Sequence, residues 1–361
     1  MSNWNSGYVA DIAYTYGYYQ ELSPSHLSFV ATNRAQHAPD PSGPINYCEL
    51  GSGQGLTTNI LAAANPHSRF YATDFNPAHV ASSRRLAAEA GLENVTFYDT
   101  SFSDFAEEKS LPEEFDIISL HGIYSWVNAD LRAAIVDFIA RKLKVGGLLY
   151  ISYNCMPGWA AAAPMRHLMY MHGKVHGGPT ATRLQPALDF IEKIQKSNAL
   201  YFRSNPLLEK RFEMLKGQNR NYLTHEYFND VWEPFYHADV VRDLDAAKLT
   251  YIGSASLLED VDVINLTEEQ QKILAEVADP VLRETTRDYM TNKQFRRDVF
   301  VKGAYPLPPR LARETWLDRR FVLVADRSGI ELKAKGALGE AKLQEEVYNP
   351  LLERLAGEPK T

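Results

Sequence analysis

From residue 45 onward, short runs rich in apolar residues alternate with longer stretches in which apolar positions recur every three or four residues. Residues 45–50, 69–73, 94–98, 115–120 and 148–153 read as strands. Residues 56–64, 77–90 and 129–143 read as helices, the second closed by Gly91. Strands separated by single helices predict βαβ units, and hence a parallel sheet covered on both faces. The expected fold class is α/β, a doubly wound, Rossmann-like sheet.

After Tyr153 the rhythm breaks. Residues 160–172 and 186–215 carry helical periodicity, interrupted by Gly173 and by Gly177-Gly178-Pro179, and predict a helical insertion acting as a lid or linker. A mixed segment follows, with helices expected at 238–247 and 268–290 and strands at 249–252 and 298–302. The first helix and strand of that segment also suit the last helix and sixth strand of the sheet. Tyr305-Pro306-Leu307-Pro308-Pro309 reads as a boundary, because proline removes backbone donors and fixes an extended path. Beyond it, 320–325 and 330–333 flank Asp326-Arg327-Ser328-Gly329 as a hairpin, before a final helix at 341–355. The expected division is an N-terminal helical and aromatic segment (1–44), a core (45–160), a lid or linker (161–220), a smaller auxiliary domain (221–303) that can lend part of itself to the core sheet, and a hairpin-and-helix module (304–361).

Composition narrows the partners. The chain has 361 residues, 45% apolar and 23% charged, enough for two or three domains of ordinary size. Its net charge is −7, and residues 1–150 hold the whole excess, with nine Lys and Arg against sixteen Asp and Glu. No basic surface is available for a phosphate backbone or an anionic membrane, so neither nucleic acid nor membrane insertion is expected. The acidic first half slightly favours a cationic substrate. Cys48 and Cys155 are too few for a disulfide framework or a metal cluster, and residues 1–7 lack the basic and apolar regions of a signal peptide, so the expected location is cytoplasmic.

The chemistry concentrates at Glu49-Leu50-Gly51-Ser52-Gly53-Gln54-Gly55, between the first strand and its helix. There the backbone can approach a ligand closely and the helix N-terminus offers free N–H groups. A P-loop would need Lys after the last glycine, and a dinucleotide turn would place its third glycine one residue later. Asp74, nineteen residues after Gly55, ends the second strand, where a carboxylate can accept hydrogen bonds from both hydroxyls of a ribose. Asp74 also suits the role of a helix cap. Phe75 can lie along a base, and Ser101 and Phe102 follow the third strand. His121 ends the fourth strand.

The spacing Glu-x-Gly-x-Gly-x-Gly resembles motif I of class I S-adenosylmethionine-dependent methyltransferases. That resemblance implies S-adenosyl-L-methionine as cofactor and S-adenosyl-L-homocysteine as product. The implied cofactor contacts are Glu49, Gly51, Ser52, Gly53, Asp74, Phe75, Ser101, Phe102 and His121, with Asp99 or, in preference, Ser101 capping the adenine edge. A narrower resemblance lies in the N-terminal run from Tyr14 to Pro24, in Leu120-His121-Gly122-Ile123-Tyr124-Ser125-Trp126, in Tyr153-Asn154-Cys155-Met156-Pro157-Gly158-Trp159, in Tyr222-Leu223-Thr224-His225-Glu226 and in Phe295-Arg296-Arg297-Asp298. These stretches resemble bacterial methyltransferases with a methyltransferase regulatory domain, including rickettsial-type protein lysine methyltransferases, which places that domain at 221–303.

Methyl transfer from a sulfonium is an in-line displacement that needs alignment and a free electron pair on the acceptor. Holding a lysine neutral at pH 7 costs about 4.6 kcal/mol from its free pKa of about 10.4, and a dry aromatic site lowers that pKa. Tyr124 and Trp126, Tyr153 and Trp159, and Tyr14, Tyr16, Tyr18 and Tyr19 are the aromatic candidates for such a site, each with simple packing as the competing role. Catalytic expectations fall on His121, Tyr124, Tyr153 and Tyr19, with His121 as proton acceptor or cofactor contact. The expected partner is a protein or small-molecule methyl acceptor, a protein lysine first and a small-molecule N- or O-acceptor second; a catalytically silent cofactor-binding regulator is the third reading. A homodimer through the auxiliary domain is a further expectation. His172 and His176 stand four apart but lack a third ligand, so no metal is expected.

Overall fold

Strand β1 (Asn46–Leu50) sends Tyr47 to one face of a sheet and Cys48 and Leu50 to the other, and all three are fully buried. Burial on both faces is why Tyr47, Cys48 and Leu50 are apolar, while Glu49, also buried, is the polar exception near the strand end. In the computed structural model, which describes residues 15–357, β1 belongs to a seven-stranded sheet with β2 (Arg69–Asp74), β3 (Val95–Asp99), β4 (Phe115–Leu120), β5 (Leu143–Asn154), β6 (Leu249–Ser254) and β7 (Phe295–Lys302). The order is β3-β2-β1-β4-β5-β7-β6. Strands β1 to β5 pair in parallel, and β7 runs antiparallel between β5 and β6. This is a doubly wound, Rossmann-like sheet extended by an antiparallel strand, and its order reverses between β1 and β4, where such sheets open a crevice beyond the strand ends.

The alternation continues through the neighbours. Ile118, Leu120, Leu149 and Ile151 join Cys48 and Leu50 in a core with Phe105, Phe115 and Phe138, while Ile117, Leu148 and Tyr150 join Tyr47 on the other face with Leu27, Phe70 and Val299. Helices Leu56–Ala64, Pro77–Glu89 and Ala129–Lys142 cover the sheet. Asn76 and Asn128 cap two of them by accepting from Ala78 N and Leu131 N.

The segment after β5 forms a helical body with its own core of Met165, Met169, Leu184, Ile191, Phe212, Leu223 and Tyr227. Its helices run over Ala163–His176, Thr180–Lys196, Leu207–Lys216 and Arg220–Phe228. The expected single helix at 268–290 is two, Glu268–Glu276 and Pro280–Thr291, because Pro280 cannot continue a helix and Asp279 instead caps a new one through Leu282 N at 2.7 Å. The expected hairpin around Asp326 is also displaced. Asp326 accepts from Ser328 N and caps a short 3-10 turn, while the hairpin lies downstream in β8 (Lys333–Gly336) and β9 (Gly339–Lys342), turning at Gly339 with φ +120°. Tyr14 and the rest of the first fourteen residues lie outside the described residues.

Candidate active site

The glycine turn is built by main-chain pinning. Gly51 N and Ser52 N both donate to Thr73 O, at 2.8 and 3.1 Å, which ties the turn to the end of β2. Gly51 has φ +78°, and a Cβ there would collide with the Ile123 side chain, so only glycine lets the turn close against the loop after β4. Gly53, at φ +54°, faces open space instead.

Asp74 sits at the end of β2, almost fully buried, with its carboxylate turned to the turn. Its Oδ2 accepts from Gly53 N and its Oδ1 from Asn76 N, both at 2.9 Å, and Oδ1 lies 3.2 Å from His79 Nδ1. Two donated N–H groups hold the carboxylate in place and leave lone pairs for further donors. Glu49, the last-but-one residue of β1, is buried and accepts from the Thr58 hydroxyl. Burial pushes its carboxyl up to about 7, the nearby Asp74 charge adds to the rise, and the Thr58 hydrogen bond opposes it.

Beyond β3, Ser101 Oγ accepts from Asp104 N at 3.2 Å and donates to Asp104 Oδ2 at 2.8 Å, capping the turn Phe102–Ala106. His121, just past β4, has Nδ1 2.8 Å from Tyr150 Oη, and its ring stacks on Tyr19 with centroids 3.8 Å apart. Burial, reinforced by the positive charge of Arg297, pushes the His121 imidazole down to about 3. At neutral pH the ring is therefore uncharged.

One open cleft gathers these groups. Glu49, Gly51, Ser52, Gly53, Asp74, Phe75, Ser101, Phe102, His121 and Tyr19 all line it. So do residues given no role by the sequence: Thr15, Gly17 and Ile123, which lie inside its motifs, and His79 and Leu131, which lie outside them. His79 had no sequence signal, since its place beside Asp74 follows from the first turn of the helix after β2. Ser52 Oγ and His79 Nε2 are shut off from solvent without a hydrogen-bond partner, so the cleft has polar atoms to offer a ligand. Two buried carboxylates, Glu49 and Asp74, the phenyl groups of Phe75 and Phe102 and the neutral Tyr19–His121 pair in one cleft suit a cofactor with ribose hydroxyls, a planar base and positive charge.

Tyr124 and Tyr153 are placed elsewhere, which redirects the expectation made for them. Tyr124 is fully buried in the core against Phe235, its hydroxyl donating to Asp243 Oδ2 at 3.0 Å. Tyr153 does not line the cleft; it turns from β5 into the core shared with Leu149 and Ile151 and donates to Asp298 Oδ2 at 2.7 Å. There Arg296 bridges Asp298, at 2.9 Å, and Asp288, at 2.6 Å, and His237 Nδ1 lies 3.1 Å from Asp298, forming a buried ionic knot between β5, β7 and the helix Pro280–Thr291. The sequence pattern put both tyrosines near strand ends but could not say which way each side chain turns. Among the described residues no group of three His, Cys, Asp or Glu side chains could hold a metal ion, and no helix is long and apolar enough to cross a membrane.

Comparison with known proteins agrees with this geometry. Residues 48–149 match a family described as "Methyltransferase domain", and residues 219–302 match "Predicted methyltransferase regulatory domain". The fold and the cleft are those of an S-adenosylmethionine-dependent methyltransferase, with that cofactor. More narrowly, the chain belongs to the methyltransferases that carry a methyltransferase regulatory domain. It is 48% identical over 358 residues to "Uncharacterized protein sll1526" of Synechocystis sp. (strain ATCC 27184 / PCC 6803 / Kazusa), covering 99% of this chain and 70% of that one. It is 26% identical over 283 residues to "Uncharacterized protein RP789" of Rickettsia prowazekii (strain Madrid E), covering 77% and 49%. Among solved structures, PKMT2 from Rickettsia typhi in complex with AdoHcy superposes with a TM-score of 0.73 at 21% identity, covering 88% of this chain and 61% of that one. The chain thus spans about half to two thirds of the length of these two rickettsial proteins.

Proposed function

We propose that this methyltransferase acts on an amine, and that the amine is the side chain of a protein lysine. The observation that carries the reading is the uncharged aromatic wall of the cleft, where Tyr19 stacks on His121, with Trp126 also among the lining residues. Such a wall accepts a cationic or methylated nitrogen on its faces and, by excluding water, makes the neutral amine easier to reach. The low proton affinity of His121 keeps a positive charge out of that wall. The rickettsial likeness whose solved structure is called PKMT2 and holds AdoHcy supports the same acceptor class.

S-adenosylmethionine supplies a methyl group on a positively charged sulfur. In this reading Asp74 receives the ribose hydroxyls, Phe75 and Phe102 flank the adenine with Ser101 at its edge, Glu49 faces the cofactor's ammonium, and the Gly51 to Gly53 backbone lies along its amino-acid end. Tyr19 and His121 then align the acceptor nitrogen for in-line attack. The division of labour follows the chain: a catalytic core at 45–160, a helical lid or linker at 161–220, a regulatory segment at 221–303 that lends strands to the core, and a hairpin-and-helix module at 304–361. The test is incubation of the purified chain with methyl-labelled cofactor and a bacterial lysate separated into protein, RNA and small-molecule fractions. Label recovered as N-methyl-lysine after protein hydrolysis is the expected result. Label confined to the RNA or small-molecule fraction refutes the lysine reading, and no transfer into any fraction refutes an active enzyme for these acceptors.

A further inference from the structure

Strand β7 closes the matched regulatory segment, and its parity decides what it offers to the cleft. Val299 and Val301 pack on the face of the sheet that holds Tyr150, whereas Phe300 joins Tyr153 on the other. The two-residue period of a strand therefore brings Arg297 and Phe295 to the Tyr150 side, opposite Ser152 and Asn154 of β5. Arg296 and Asp298 go to the ionic knot instead. On the Tyr150 side the Phe295 ring meets His121 edge-on, with centroids 6.1 Å apart, and the Arg297 guanidinium carbon lies 5.0 Å over the Phe295 ring.

The chain before β1 reaches the same place as a strap over the cleft, which Thr15, Gly17 and Tyr19 line. Thr57, in the helix after the glycine turn, fastens the strap on one side of Tyr19: its hydroxyl donates to Gly17 O at 3.0 Å and accepts from Tyr19 N at 3.2 Å. A 3-10 turn, Gln20–Leu22, follows at once, closed by Leu22 N on Tyr19 O at 3.2 Å and anchored by the fully buried Leu22 side chain. Glu21, the only charged residue from Thr15 to Leu22, sits on that turn with Oε1 2.8 Å from Arg297 Nε. Tyr19 is thus held from both sides, by Thr57 on the core and by Arg297 on β7.

Resting on the reading of Tyr19 and His121 as the acceptor wall, we propose that Arg297 is a positioning residue supplied by the regulatory segment: its ion pair with Glu21 holds the strap, and with it the Tyr19 ring, against His121. One guanidinium serves both members of the stacked pair. Its edge holds the turn that follows Tyr19, and its face rests on Phe295, which meets His121. Arg297 does not line the cleft, so its effect passes through these two rings. Its Nη1 donates to Ser256 Oγ at 3.3 Å, which fixes the plane of the fork. A lysine there keeps a charge for Glu21 but has neither the fork nor the flat face. Methyl transfer depends steeply on alignment, so loosening the wall slows the reaction while the cofactor's own contacts stay in place.

Two readouts on the full chain test the clamp. The first is the NMR signal of the His121 ring protons, moved upfield by the stacked Tyr19 ring and assigned with His121→Gln. Arg297→Gln and Glu21→Gln are each expected to shift that signal toward its position in Tyr19→Ala. The second is transfer from methyl-labelled S-adenosylmethionine into lysine of a saturating heat-treated bacterial protein extract. Each variant is expected to lower the rate by about 10-fold with calorimetric affinity for S-adenosylhomocysteine within about threefold of wild type. The double variant is expected to match either single one, because both remove the same pair. Arg297→Lys is expected to recover part of the rate, and serves as the working variant should Arg297→Gln not fold. An unmoved His121 signal, losses that add in the double variant, or an Arg297→Gln rate within about threefold of wild type overturns the proposal. A shifted His121 signal with no labelled lysine from the wild type upholds the clamp and overturns the lysine reading.

Discussion

Glu49 is a carboxyl that the fold holds close to half-ionised at neutral pH, and replacing it isolates the cost. The free side chain has a value of 4.5, and burial raises it to about 7. That difference corresponds to about 3 kcal/mol. Below pH 4.5 both folded and unfolded chains are protonated at this position and the group costs nothing. Between 4.5 and 7 the unfolded chain ionises first, so the folded state loses stability as pH rises, and above 7 the loss is complete. Glu49→Gln keeps an acceptor for the Thr58 hydroxyl and cannot ionise. Urea unfolding of both proteins from pH 4 to 8 is therefore expected to give a difference curve that starts near its minimum at pH 4 and moves in favour of the variant by about 3 kcal/mol, levelling off past 7. A difference that does not change with pH would refute the reasoning, since it would mean that Glu49 titrates alike in both states. The same charge gives the carboxylate its use. S-adenosylhomocysteine carries an ammonium group, and its binding at pH 6.5 is expected to release protons from the wild type and not from the variant, which calorimetry in buffers of different ionisation enthalpy measures.

Asp74→Ala is expected to weaken S-adenosylhomocysteine binding by about 100-fold or more in calorimetry, because two charge-assisted hydrogen bonds and the anchor for Gly53 N are lost together. Gly51→Ala is expected to cost about 3 kcal/mol in denaturant unfolding, from a left-handed φ and a collision with Ile123, whereas Gly53→Ala, with open space around its Cβ, costs about 1 kcal/mol. Tyr124→Phe removes a buried hydroxyl bonded to Asp243 and is expected to lower stability by about 1 kcal/mol while cofactor affinity holds, a result calorimetry and unfolding together establish.

Much of the sheet was legible because parallel strands buried on both faces must be apolar and must end where the ligand crevice opens. The five strands to residue 154, the glycine turn and the acid at the end of β2 all follow from that one constraint, and every cofactor position read from the sequence lines the cleft. Tyr124 and Tyr153 mark the limit. Their strand-end positions were visible, but a residue's direction depends on a local 3-10 turn in one case and on strand parity in the other. Tyr153 follows Leu149 and Ile151 onto one face, whereas Tyr150, one residue before Ile151, reaches His121 on the other. The Asp326 turn misled for a different reason, since Asp-x-Ser-Gly satisfies its own backbone locally and needs no flanking strands.

The placement of β7 has a consequence for how the chain comes off the ribosome. β5 finishes at Asn154, yet the neighbour that covers its open side begins only at Phe295, about 140 residues later. Through that whole interval of synthesis β5, whose residues Leu148–Asn154 are all buried in the finished sheet, presents an unpaired edge, the kind of surface on which nascent chains aggregate. The helical body at 163–228, which has its own core, is made in that interval, before β7. Removal of the regulatory segment would leave the exposed edge permanent, so a shortened catalytic half is expected to collect as insoluble protein.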